Sequence, residues 1–311
     1  MIAARRGTAD VILQVGATFS VPENEPTPVV LFCDSNIELA RAAIDTGHSE
    51  AAVLSDEERD SIREREARVY RRAALIFTMS DWLRRSFIDD FGIPAERIVT
   101  VHCGPNIAIP DLATTLESRA SAPPTILFIG RDFQRKGGPQ LLEAFAEVRR
   151  CVPDARLRMI GGGQTPGRAS PPGVGFLGFL SRDTENGRRL MDEAYRGATV
   201  FCIPTRFEPF GTSFVEAMMY GLPCVGPSAW AVPEIIDDGR TGILVPPGDR
   251  DALADALVSM LEDRVRAAGM GAAARERAVE QFSWTRLAER MSRGLESAIA
   301  AQRACGVPRD A

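Results

Sequence analysis

The chain has 311 residues, of which 45% are hydrophobic and 25% are charged, and its formal net charge is −5. This length favours two domains, because chains divide into domains of roughly 100 to 200 residues each. The acidic balance argues against a general nucleic-acid-binding protein, and no apolar run approaches the ~18 residues that a membrane-spanning helix requires.

The first residues, MIAARRGTADVILQVG, contain only a short apolar run and no cleavage site typical of a signal peptide. A cytoplasmic location is therefore expected. The six cysteines lie far apart and include no C-x-x-C pair, so the sequence predicts neither a zinc site nor a redox motif.

The first third of the chain predicts a small sheet. Its strand candidates are DVILQVG, PVVLFCD, ALIFTMS and RIVTVHCG, and the helices between them lie around Glu38, from Glu57 to Arg72 and from Asp81 to Asp90. The stretch from Pro105 to Pro124 contains four prolines and few apolar residues, which is typical of a linker between domains.

The remainder alternates strand-like and helix-like segments, the pattern of a parallel sheet covered by helices. The predicted strands are TILFIG, ARLRMI, GVGFLGFL, TVFCIP, PCVGPS and GILVPP, and the helix before Cys151 has Pro139 at its start. These segments predict a doubly wound α/β domain of about 160 residues.

A first motif, GRDFQRKGG, runs from Gly130 to Gly138 between a strand and a helix. Ligands of open α/β sheets bind at the carboxyl ends of the strands, so Arg131 and Lys136 lie where phosphates would bind. Lys136 is the only lysine among the 37 basic residues. The alternative interpretation is a solvated basic loop.

A second motif, FEPFGTSFVEAMMYGLP, begins at Phe207 and carries Glu208 in a loop and Glu216 in the first turns of a helix. Gly211 and Thr212 precede that helix, whose free N–H groups would form an anion site. The alternative for Glu216 is a capping box with Ser213, in which the glutamate only stabilises the start of the helix.

Together with PEIIDDGRTGILVPPGD, which ends at Asp249, the two motifs resemble the retaining glycosyltransferases of family 4. The resemblance extends from about Asp10 to FSWTRLAERM, which ends at Met291. It implies the α/β fold called GT-B, in which two Rossmann-like, doubly wound domains face a cleft. The chain begins at what resembles the middle of the first domain, so that domain is expected to be incomplete.

The resemblance also implies a domain organisation and a donor site. Residues 1–110 would form the partial acceptor-side domain, 111–284 the donor domain, and 285–311 a helix packing back toward the first domain. Arg131 and Lys136 would neutralise the donor diphosphate, Glu216 would bind the ribose hydroxyls, and Glu208 would hold the transferred sugar. The expected catalytic set is Arg131, Lys136 and Glu208, and the full donor-binding set is Gly130, Arg131, Lys136, Gly178, Phe179, Leu180, Glu208, Phe210, Gly211, Thr212 and Glu216.

Three further features of the sequence, at four positions, allow alternative interpretations. Relatives often place a histidine where this chain has Asp34, which is a candidate for acceptor contact or, equally, a helix N-cap before NIELA. Trp230 stands where a glycine pair is common, and it belongs either to the core or to the border of the sugar pocket. Asp249 and Asp251 match D-x-D but are better interpreted as capping a helix.

The predicted function is transfer of a sugar from a UDP-, GDP- or ADP-linked donor to a hydroxyl of a glycan, lipid or small molecule, with retention and without a metal or other cofactor. The predicted partners are therefore the nucleotide sugar and the hydroxyl-bearing acceptor, and no nucleic acid is expected. The sequence predicts no transmembrane segment and is compatible with peripheral contact to a membrane. The alternative is a truncated, non-catalytic remnant that binds nucleotide sugar.

Overall fold

The computed structural model describes residues 9–17, 19–20, 22, 25–111, 122–162 and 170–304. The chain divides into two compact units, one of residues 1–103 with 284–311 and one of residues 104–283. The boundary between the units falls at 103–104, seven residues before the domain boundary that was expected. Half of the predicted linker, residues 112–121, and residues 163–169 lie outside the described residues.

The first unit contains a four-stranded parallel sheet in the order β1-β2-β3-β4. Its strands are β1 (Ile12–Val15), β2 (Val29–Cys33), β3 (Leu75–Thr78) and β4 (Ile98–Thr100). Its helices are α1 (Ile37–Ala42), α2 (Asp56–Arg72) and α3 (Asp81–Asp89), together with short 3-10 turns at Ile44–Thr46, Glu50–Val53 and Ala95–Arg97. The last helix of the chain, Trp284–Ala304, also belongs to this unit.

Both faces of this sheet are covered, which explains why β2 and β3 are apolar in nearly every position. On one face, Leu31 and Ile76 pack with Tyr70 of α2 and Phe87 of α3. On the other face, Val30, Leu75 and Phe77 pack with Leu287 and Met291 of the last helix.

The second unit contains a six-stranded sheet in which all described pairings are parallel. Its strands are β5 (Thr125–Gly130), β6 (Arg156–Gly161), β7 (Val174–Gly178), β8 (Val200–Cys202), β9 (Cys224–Pro227) and β10 (Gly242–Val245). Its helices are α4 (Gly138–Cys151), α5 (Glu185–Arg196), α6 (Thr212–Met219), α7 (Val232–Ile235), α8 (Arg250–Glu262) and α9 (Arg264–Phe282), so the Trp284–Ala304 helix is α10.

The strand order of the second sheet is β10-β9-β8-β5-β6-β7. Counted from β5 as the first strand, this is the 3-2-1-4-5-6 order of the Rossmann fold. The order reverses between β5 and β8, which lie side by side. Ligands of such sheets bind outside the carboxyl ends of the strands at that reversal. The doubly wound α/β prediction is therefore confirmed, and the fold identifies where its site should be.

Helix α9 is absent from the sequence prediction. Its buried positions are mostly small, including Ala267, Gly271, Ala274 and Ala278. Alanine and glycine contrast weakly with their neighbours in hydropathy, so the helical period of this segment is difficult to see in the sequence.

Candidate functional site

Two loops meet at the reversal point of the second sheet: the β5 loop, residues 131–137, and the β8 loop, residues 203–211. The backbone N–H of Arg206 donates to the carbonyl of Arg135 at 2.8 Å, and Arg135 Nη1 donates to the carbonyl of Phe207 at 2.9 Å. The hydroxyl of Thr205 also donates to the carbonyl of Arg135 at 3.2 Å. These bonds fix the two motif loops against each other.

Lys136 of the β5 loop and Glu208 of the β8 loop form an ion pair between Nζ and Oε2. Their side chains are only 13% and 7% exposed. Gly130 makes room for this lysine, because a Cβ at that position would lie 2.8 Å from the Cβ of Lys136. The structure thus brings together two of the three residues expected to be catalytic, although they lie in different motifs.

Arg131, the third residue of that set, has an exposed side chain at the carboxyl end of β5. Its carbonyl accepts a hydrogen bond of 3.3 Å from the backbone N–H of Gly162, which follows β6. Within the described part of the chain the Arg131 guanidinium forms no ion pair. Its charge therefore faces the solvent above the strand ends, where a ligand would approach.

Helix α6 begins beside the Lys136–Glu208 pair. Its N-cap is Gly211, whose φ of 105° is in the left-handed region that glycine adopts without strain. Gly211 makes no side-chain capping bond, so amides of the first turn can face a ligand. The capping-box alternative for Ser213 and Glu216 is wrong, because the helix starts two residues too early for Ser213 to be its N-cap.

Glu216 lies on α6 with its side chain only 2% exposed. Arg182 binds its carboxylate in a bidentate manner, with Nη1 2.6 Å from Oε1 and Nη2 2.6 Å from Oε2. The hydroxyl of Tyr195 donates to Oε2 at 3.0 Å, and the backbone N–H of Asn106 donates to Oε1 at 3.1 Å. The glutamate that would bind ribose is thus held by three residues of its own chain.

The pKa values of the two side chains that bind Glu216 are both raised, which favours their hydrogen bonds to it. Hydrogen bonding to Glu216 raises the pKa of Arg182 above its already high ordinary value. Burial raises the pKa of Tyr195 well above that of a free tyrosine, and the negative charge of Glu216 raises it further. Both groups therefore keep their protons and remain hydrogen-bond donors to the carboxylate.

Three residues of the expected donor-binding set, Gly178, Phe179 and Leu180, lie at the end of β7. Gly178 borders a small crevice with Gly161, the last residue of β6, and with Gly162, which follows it. Phe179 is 67% exposed, and Leu180 is partly buried. Arg182 is two residues further on, so its ion pair with Glu216 places the β7 loop, residues 179–184, against α6.

Trp230 precedes helix α7 and is partly buried. Its ring meets that of Phe207 edge to face, with centroids 6.4 Å apart, and its φ is 58°. A bulky residue in this left-handed region is a true conformational outlier. Trp230 thus packs directly against the loop that carries Glu208.

Two capping interpretations are resolved by the structure. The N-cap of α1 is Asn36, whose side chain accepts from the Leu39 N–H at 3.0 Å, so the proposed cap at Asp34 is wrong. Asp34 is exposed at the carboxyl end of β2, where its acceptor role stays a prediction. Asp249 does cap α8, accepting from the Ala252 N–H at 2.9 Å.

Four residues of the site did not stand out in the sequence: Arg135, Arg182, Tyr195 and Asn106. Two of them are arginines in a chain rich in arginine, so composition gave no contrast. Asn106 acts through its backbone, which no side-chain pattern reveals. Tyr195 is one of only three tyrosines, and that scarcity is the one signal that could have identified it.

A cavity of about 720 Å³ lies in the first unit, lined by residues that include Pro28, Val29, Arg72 and Ala74. Val29 begins β2 and Ala74 precedes β3, so this cavity is at the amino ends of the strands. Open α/β sheets bind ligands at the opposite ends, so we do not assign the donor site to it. None of the helices in the described residues combines the length and the apolarity needed to cross a membrane.

Comparison with known protein families gives a match within the second unit, which carries this candidate site. Residues 123–263 match the family model described as Glycosyl transferases group 1. These residues belong to that family. The match contains the β5 loop, the β7 loop, the β8 loop and α6, so every residue of the expected donor-binding set lies within it.

Similar curated proteins extend the likeness beyond these residues. It is 35% identical over 223 residues to a phosphatidyl-myo-inositol mannosyltransferase of Mycobacterium leprae, covering 70% of this chain and 58% of that protein. It is 31% identical over 243 residues to a GDP-mannose-dependent alpha-(1-6)-phosphatidylinositol monomannoside mannosyltransferase of Mycolicibacterium smegmatis, covering 71% and 62%. The chain thus spans about three-fifths of the length of these relatives.

Among solved structures, sucrose-phosphate synthase from Thermosynechococcus elongatus superposes with a TM-score of 0.75 and 22% identity. The superposition covers 96% of this chain and 77% of that one. At this level of identity the likeness concerns the fold, and it confirms the GT-B prediction.

Proposed function

We propose that this chain is a glycosyltransferase that binds a nucleotide sugar at the reversal point of its second sheet and transfers the sugar to a hydroxyl group. The observation that carries the proposal is the largely buried Lys136–Glu208 pair beside the start of α6, where no side chain caps the helix. A cation, a carboxylate and free helix amides together match the diphosphate and the sugar of such a donor.

The proposed chemistry follows from where charge develops. When the bond between sugar and phosphate breaks, negative charge grows on the leaving diphosphate and the sugar becomes oxocarbenium-like. Lys136, Arg131 and the amides at the start of α6 would stabilise the diphosphate, and Glu208 would hold the sugar. Since these groups supply the positive charge, we propose that the reaction needs no metal, and EDTA should leave its rate unchanged.

Support for the finer assignments comes from the relatives. The names of the two mannosyltransferases refer to phosphatidylinositol compounds, and one name also specifies GDP-mannose. We therefore propose a GDP-linked hexose as the first donor to test and an inositol lipid as the first acceptor. Retention of the anomeric configuration is proposed from the resemblance to family 4.

The first experiment is a thermal-shift panel of UDP-, GDP- and ADP-sugars, because a ligand that binds only the folded state raises its stability. The donor that stabilises the protein is then tested for transfer to phosphatidylinositol in vesicles, and NMR of the product gives its anomeric configuration. Lys136→Ala should lower the transfer rate by on the order of 10² to 10³ while the fold survives.

Arg150→Ala is the matched control, because Arg150 is an exposed cation of α4 that pairs only with Glu147 among the described residues. It should transfer sugar at the wild-type rate. Normal turnover in Lys136→Ala would overturn the proposed function. Donor binding without transfer or hydrolysis would instead support the non-catalytic binding protein.

A further inference from the structure

The carboxylate of Glu216 is fully occupied by the protein itself. A carboxylate offers about four positions for hydrogen-bond donors. Arg182 takes two of them, Tyr195 takes one and the Asn106 N–H takes one. A ribose diol, which donates hydrogen bonds to a carboxylate, can bind Glu216 only if one of these partners leaves.

Arg182 is the partner that can leave. Tyr195 is wholly buried on α5, and the Asn106 donor is a backbone amide. The Arg182 side chain is 33% exposed and extends from the β7 loop, so its guanidinium can turn toward solvent, where water replaces its hydrogen bonds. If Arg182 leaves, two adjacent acceptor positions become free, which is the number that a 2′,3′-diol needs.

We propose that Arg182 occupies the ribose position on Glu216 and competes there with the donor nucleotide, which makes Arg182 a specificity-determining residue for the ribose. This inference rests on the proposed function, because it assumes that a nucleotide sugar binds this site. A nucleotide with both hydroxyls replaces the hydrogen bonds that Arg182 gives up. A nucleotide without them leaves the carboxylate to Arg182.

The competition has a thermodynamic consequence. The open form of the site, with Arg182 turned away, is only a fraction of the unliganded protein, and the apparent affinity is reduced by that fraction. Removing the guanidinium should therefore strengthen binding of ribonucleotides. A residue that merely held Glu216 in place would produce the opposite result on removal.

The test measures binding of GDP and UDP and of their 2′,3′-dideoxy forms by isothermal titration calorimetry, using wild type and Arg182→Ala. The variant should bind the better ribonucleotide about tenfold more tightly, the size of a released charge-assisted hydrogen bond. The affinity for the dideoxy form should stay the same. Arg189→Ala is the control, because Arg189 pairs with Glu193 on the exposed side of α5 and should change neither affinity.

Arg182→Lys keeps a positive charge beside the buried carboxylate but cannot bind it in a bidentate manner. This variant should also bind the ribonucleotide more tightly than wild type, but by less than Arg182→Ala does. It replaces Arg182→Ala in the test if that variant does not fold. Weaker or unchanged ribonucleotide binding in a folded variant would overturn the inference alone, as would an equal change for both nucleotide forms. Wild-type protein that binds neither GDP nor UDP would overturn the proposed function and, with it, the role of Arg182.

Discussion

Lys136 and Glu208 form one largely buried ion pair although 72 residues separate them along the chain. The pair exists because β5 and β8 are neighbours in the sheet and each ends in a loop that carries one partner. Its burial means that neither charge is well solvated by water, so each depends on the other. Substrate binding must therefore either break this ion pair or add contacts to it.

We expect the stability effects of this pair to be strongly non-additive. Lys136→Met should lower the free energy of unfolding by about 3 to 5 kcal/mol, because it leaves the buried Glu208 without its partner. Lys136→Met combined with Glu208→Leu should recover most of that loss, since no unpaired charge remains. Urea denaturation of the single and double variants measures the coupling, and additive losses would contradict it.

Gly130→Ala should reduce transfer without unfolding the protein. The added Cβ would lie 2.8 Å from the Cβ of Lys136, so the lysine must move. A displacement of about 1 Å at a catalytic group can cost on the order of 10²-fold in rate. Gly175→Ala is the control, because a Cβ there has no neighbour within 4 Å among the described residues, and its rate should equal that of wild type.

Trp230 should carry measurable backbone strain because of its φ of 58°. Trp230→Gly and Trp230→Ala both remove the indole that packs on Phe207, so their difference isolates the backbone. The glycine variant should be more stable than the alanine variant by about 1 kcal/mol, since glycine adopts the left-handed region freely. Thermal unfolding of the two variants measures this difference in stability. Equal stability would show that the backbone at residue 230 is not strained.

Gly294 of α10 allows that helix to lie close to β3. A Cβ at Gly294 would approach the Phe77 ring to 2.6 Å, so Gly294→Ala should lower stability by about 1 to 3 kcal/mol through overpacking. Gly269→Ala, in an open position of α9, should instead raise stability by about 0.5 to 1 kcal/mol, because alanine favours helix. Chemical denaturation should therefore give changes in the free energy of unfolding that are opposite in sign for the two variants. A lower free energy of unfolding in both variants would contradict the packing argument.

Much of the site could be predicted from the sequence because its residues follow short strands. TILFIG and TVFCIP are apolar runs of strand length followed by polar loops, and parallel strands present such loops at one edge. The residues of each motif were therefore identifiable separately. Their pairing was not, because nothing local in either motif specifies that β5 lies beside β8.

The environment of Glu216 shows a second limit. The S-x-x-E spacing fits a capping box, but Gly211 starts the helix earlier, and the glutamate pairs with Arg182 instead. That partner lies 34 residues away on another loop. A local spacing rule has no access to a long-range ion pair, and an arginine-rich composition hides which arginine forms it.

The adjacency of β5 and β8 also determines when the site can form during folding. The strands are separated by β6, β7 and two helices, so their pairing closes a long loop whose entropic cost precedes any stabilising contact. A chain emerging from the ribosome cannot complete the site until Glu208 and α6 have been synthesised. Nucleotide should thus bind only after this sheet has its complete topology, and partly folded forms should not bind it.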